Sequence, residues 1–96
     1  MSDISLKKAH GLSLDEAKLR TSQIVTDVKA EFPSLIDKIE WNSDNTQATV
    51  KGKGFTGDFI VDSTNMNIDV KLKMFARPFK GKVQAKIQER MDKYFA

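Results

Sequence analysis

His10 is the only histidine in the chain, and there is no cysteine. A zinc site of imidazole and thiolate ligands is therefore excluded, and so are disulfides and thiolate chemistry. A hydrolytic relay on His10 would need a nucleophile and an orienting acid within hydrogen-bond reach. Ser13 is near in sequence, but Ser13-Leu14-Asp15-Glu16 reads as a capping box, which commits the hydroxyl to a helix start. His10 is accordingly read as a turn residue at a strand–helix junction, and no catalytic residue is assigned. Glu40, Asp44, Asp58, Asp62 and Asp69 fall in strands and turns without the spacing of a calcium loop. Gly52-Lys53-Gly54 is no phosphate loop, because that loop needs its lysine at a helix start. No metal and no cofactor are expected, and the chain reads as no enzyme.

One feature is chemically suggestive. Between Lys71 and Lys93 lie eight basic residues, and the only acids are Glu89 and Asp92. The rest of the chain is slightly acidic, so the formal net charge of +3 is concentrated in the last quarter. An amphipathic helix with basic flanks suits an anionic or apolar surface. Lys80, Lys82, Lys86 and Lys93 are the candidate surface-binding residues. The competing reading is a core helix with a solvated basic back. Nucleic acid is disfavoured, because no strand carries the aromatic-plus-basic pattern of an RNA-recognition sheet.

The elements that must position these residues follow from periodicity. Ninety-six residues suit a single α+β domain spanning 1–96, burying on the order of 10,000 Å² on folding. The N-terminus has no apolar run behind a basic start, so no signal peptide is expected. No apolar stretch approaches the length of a membrane span, and a cytoplasmic location is expected. Ile4 and Leu6 alternate with polar residues as a first strand over Asp3–Ala9. Leu14, Ala17, Thr21, Ile24, Val25, Val28 and Phe32 recur at helical spacing, and Pro33 stops the helix. Leu19 lies off that face.

Strands are expected over Leu35–Trp41, Gln47–Gly52, Phe55–Val61 and Met66–Lys73, with Ile39 and a largely buried Trp41 facing inward. A second helix starts near Pro78. Phe79, Val83, Ile87, Met91 and Phe95 make its apolar stripe. The order β-α-β-β-β-β-α predicts a curved antiparallel sheet with two helices on one face, like a shortened helix-grip fold.

The chain resembles the small putative polyhydroxyalkanoic acid system proteins, also described as polyhydroxyalkanoate granule-region proteins. The resemblance rests on Ile4-Ser5-Leu6-Lys7-Lys8-Ala9-His10-Gly11-Leu12 with Glu16-Ala17-Lys18, and on Ile68-Asp69-Val70-Lys71-Leu72. It continues in Pro78-Phe79-Lys80-Gly81-Lys82-Val83 and Ile87-Gln88-Glu89-Arg90-Met91-Asp92-Lys93. It implies a bacterial protein tied to polyester storage granules or their metabolism, with the granule surface or granule proteins as partners. It brings no catalytic residues to carry over.

An enzyme using His10 ranks last among the functional readings, and two stand above it. One is a non-enzymatic binder acting at the granule. The other is a carrier of a small apolar, lipid-like ligand held between sheet and C-terminal helix, in a cavity lined by Phe55, Phe59, Met66, Ile68 and Ile87. A roomy cavity there favours the carrier, and a filled core favours the binder.

Overall fold

Alternation decides the sheet. Met66, Ile68, Val70 and Leu72 are buried, while the residues between them lie on the other face. Phe55, Gly57, Phe59 and Val61 repeat the pattern one strand away. The computed structural model describes residues 3–95. Its elements are β1 (Ile4–Ala9), α1 (Leu14–Glu31), β2 (Lys38–Trp41), β3 (Gln47–Lys51), β4 (Phe55–Val61), β5 (Asn65–Leu72), a 3-10 helix (Met74–Phe79) and α2 (Lys80–Tyr94).

The five strands form one open antiparallel sheet in the order β1-β5-β4-β3-β2. Strands β2 to β5 are a meander, and β1 closes onto β5. The chain therefore crosses from one edge to the other through α1, which lies over the sheet with α2 alongside it. Both helices bury their stripes against the same face. From α1 these are Ala17, Thr21, Ile24, Val25 and Val28, and from α2 they are Val83, Ile87 and Met91. Each such large aliphatic side chain contributes about 1.5–3 kcal/mol by leaving water.

Three local expectations are corrected. The strand expected over Leu35–Trp41 begins at Lys38; Leu35 and Ile36 lie in the preceding turn, where their amides bond to the Phe32 carbonyl and both side chains are buried. The capping box is half made. Ser13 Oγ accepts from Glu16 N–H at 3.2 Å, but the Glu16 carboxylate turns to Arg20 Nε at 3.0 Å. Pro78 sits inside the 3-10 helix instead of the first turn of α2, and Phe79 leaves the apolar stripe and is exposed. Trp41 faces the core side, opposite buried Ala48, and packs against the core although β2 is an edge strand.

One end of the sheet gathers the start of β1, the start of β2, the β3–β4 turn, the end of β5 and the 3-10 helix. Gly52 makes this assembly close. A Cβ on it would stand 1.8 Å from the Leu35 carbonyl oxygen. At the opposite end lie His10, the β4–β5 turn and the C-terminus of α2.

Candidate surface-binding site

His10 has both ring nitrogens engaged. Nδ1 accepts from Leu12 N–H at 3.0 Å, which leaves Nε2 to donate to the Asp62 carbonyl oxygen at 2.7 Å. The ring packs 6.0 Å from Phe95, and the residue is 7% exposed. This arrangement ties β1, the β4–β5 turn and the end of α2 together. Both ring nitrogens are thus spent on backbone partners. The Asp62 carboxylate is occupied as well. It accepts from Asn65 N–H at 2.6 Å and Thr64 N–H at 2.8 Å, and these bonds hold it below the usual carboxylate value.

Phe55, Phe59, Met66, Ile68 and Ile87, expected to line a ligand cavity, are each fully buried within one continuous core cluster. Two surface hollows lie away from them. One, of about 290 Å³, is lined by Lys18, Leu19, Ser22, Trp41 and Asn45. The other is lined by Asp37, Lys38 and the residues Lys51 to Lys53. Among the described residues, no three His, Cys, Asp or Glu side chains converge as a metal site would require.

The four lysines assigned to surface binding separate into two groups. Lys86 is three-quarters buried along its side chain and sits between Glu31 of α1 at 3.8 Å and Glu89 at 3.5 Å. Beside it Arg90 reaches Asp27 at 3.6 Å, and Tyr94 donates to Asp27 at 2.9 Å. That seam joins the two helices, and its charges are internally matched. Lys93 is exposed with its ammonium 5.4 Å from the Tyr94 ring centre. Lys80 and Lys82 are exposed at the other end of α2, next to the 3-10 helix.

There the sequence reading missed a cluster. Lys71, Lys73 and Arg77 are all exposed, and no acid lies between Lys71 and Lys82. The sheet register sets Lys71, Thr56, Lys51 and Lys38 in one row across the outer face, which extends the positive field. Two of the carboxylates nearby have partners. Asp3 accepts from Leu72 N–H at 2.7 Å, and Glu40 bridges Lys38 and Lys51. The Leu72 amide, and after it the charges of Arg77, Lys80 and Lys71, keep Asp3 below the usual carboxylate value against the desolvation that raises it. Three cations from three successive elements thus stand around one carboxylate.

In the middle of this cationic end are Met74, Phe75 and Phe79, which are 82%, 60% and 46% exposed. Among the described residues, the only other large apolar side chain so exposed is Leu19 on α1. The signal for this knuckle was present in sequence as Met74-Phe75 after a strand and Pro78 before a helix. It was hidden because Phe79 stands four residues before Val83 and looks like the stripe's first member.

Comparison with known proteins adds one positive finding. Residues 4–95 match the family model described as putative polyhydroxyalkanoic acid system protein. Neither the comparison with curated proteins nor that with solved structures yields a match.

Proposed function

The chain belongs to the putative polyhydroxyalkanoic acid system protein family, and we propose that it serves the polyhydroxyalkanoate system as a non-enzymatic cytoplasmic protein that binds the storage-granule surface. The observation that supports this reading most is the cationic end, where exposed apolar side chains and solvated lysines share one small area. Such a surface adheres to an anionic or amphiphilic layer through combined apolar burial and Coulombic attraction. The carrier reading needs space between the sheet and α2, and the side chains that would line it pack against one another instead. Among the described residues no helix is long and apolar enough to cross a membrane.

The test is localisation of a fluorescently tagged copy in cells with and without polyester granules. The expected result is a ring or focus on granules, and a diffuse signal when granules are absent. A diffuse signal in both cells would overturn the reading.

A further inference from the structure

The 3-10 helix Met74–Phe79 projects from the end of the sheet as a knuckle. It is held from behind. Ala76 is fully buried against Gly54, whose Cβ position lies 2.9 Å from the Ala76 methyl and 3.1 Å from the Phe75 ring edge. The Lys73 amide bonds to the Gly54 carbonyl at 3.2 Å, and the Ala76 and Arg77 amides bond to the Lys73 carbonyl at 2.8 and 3.1 Å. A braced backbone therefore presents Met74, Phe75 and Phe79 outward, and their exposure is built into the fold.

The chemistry around the knuckle specifies its occupant. A convex apolar tip does not receive a ligand; it enters something soft. The rim holds Lys71, Lys73, Arg77, Lys80 and Lys82, none of which forms an ion pair with a carboxylate among the described residues. Long basic side chains can lie along apolar matter while their heads stay at an aqueous, negatively charged layer. An apolar centre with a cationic rim is thus complementary to a headgroup layer over acyl chains. A second copy of this chain would have to bring a matching acidic rim. At this end Asp3 and Glu40 are already engaged, and Asp37 stands among Lys38, Lys51 and Lys53.

We propose that the Met74–Phe79 knuckle inserts into an anionic phospholipid layer, its three exposed apolar side chains entering the acyl boundary while the surrounding cations engage the headgroups. The proposal rests on the surface-binding reading above and names its chemistry. It also places the contact on the 3-10 helix and the first turn of α2, away from the matched ion pairs around Lys86.

The absence of cysteine allows a direct test. A Phe75→Cys variant carries an environment-sensitive fluorophore, and Ser22→Cys on α1 is the control. Both are mixed with vesicles of phosphatidylcholine alone and of phosphatidylcholine with phosphatidylglycerol. The expected result is a blue shift at position 75 only, with the anionic vesicles only, weakened by added salt because screening acts over about 8 to 10 Å. In co-sedimentation, Met74→Ser/Phe75→Ser/Phe79→Ser should lower binding to the anionic vesicles by roughly tenfold or more, given the apolar area withdrawn from the layer. Its thermal melt should remain cooperative, with a Tm slightly below wild type because Phe79 is more than half buried. A label that stays in water at position 75, equal vesicle binding by the triple variant, or a wild-type dimer that the triple variant dissolves would each overturn the proposal. Granule localisation of the same variant separates the two readings. Wild type on granules with the variant equally bound removes the knuckle and keeps the granule. Vesicle insertion with no granule signal removes the granule and keeps the knuckle.

Discussion

Reversing lysines on α2 should separate stability from binding. Lys86→Glu breaks two bridges, to Glu31 at 3.8 Å and Glu89 at 3.5 Å, and places a third carboxylate between them. Partners this exposed give about 0.2–1 kcal/mol per bridge, and the new like-charge contacts cost a similar amount. The sum is roughly 1–3 kcal/mol, which for a chain of this size lowers Tm by on the order of 5–15 °C. Lys80→Glu/Lys82→Glu breaks no bridge between helices and touches only Asp3 from a distance, so stability should fall less than in Lys86→Glu. Each lysine near an anionic layer contributes about 1 kcal/mol. Two reversals should weaken attachment by roughly 2–4 kcal/mol, a thirtyfold to thousandfold change. Thermal melts by circular dichroism, with granule co-sedimentation at low and high salt, read both effects. The reasoning fails if Lys86→Glu melts like wild type. It fails equally if Lys80→Glu/Lys82→Glu sediments with granules as wild type does.

Gly52→Ala should destabilise by about 2 kcal/mol or more, because its Cβ would meet backbone atoms of Leu35 and Ile36 at 1.8 to 2.6 Å and the turn cannot yield without exposing both side chains; Gly81→Ala, with nothing within 4 Å, should instead gain up to about 1 kcal/mol in the first turn of α2, and urea midpoints that reverse this order would refute the packing argument. Asp62 and Asp3 are held below their usual value by backbone N–H donors, so the unfolded chain takes up their protons first as pH falls. Their stabilisation is complete above the ordinary carboxylate range and is lost as pH drops through the folded values. Urea midpoints from pH 7 to pH 3 should therefore fall at the acid end, and Asp62→Asn should flatten that fall; parallel curves for the two proteins would show that the clamp carries no linkage.

The sheet was legible because its signal is local. Met66, Ile68, Val70 and Leu72 alternate along a single strand, and the period of two leaves no freedom about which face they share. The faces of both helices were legible for the same reason. The inward side of Trp41 follows from the same alternation, two residues after Ile39, and it packs against the core even on an edge strand. Leu35 and Ile36 carried a usable warning: two consecutive apolar residues that are both buried cannot belong to an alternating strand. Phe79 failed on phase. A 3-10 segment turns every three residues, so spacing counted back from Val83 at α-helical pitch does not survive into it. The matching of Lys86 was out of reach, because Glu31 lies 55 positions away and joins it only when α1 and α2 pack.

Helix α2 thus has two chemically distinct halves. From Lys86 onward its polar groups answer α1, through Glu31, Asp27 and the Arg20 guanidinium that donates to the Tyr94 carbonyl at 2.7 Å. Before Lys86 its cations have no such partner, and the segment that precedes them exposes three large apolar side chains. A core helix needs only the first half to dock. If the basic character of the last quarter were merely a solvated back, the cations would be spread along the helix, and the apolar residues ahead of it would be folded under. Instead, Lys93 at the far end apart, the cations that form no bridge and the exposed apolar area coincide at one end, braced by Gly54 and a buried Ala76. A small fold gains no stability from holding Phe75 in water. The coincidence is what a binding surface requires, and it is the reason to look for the partner at the knuckle and not along the whole helix.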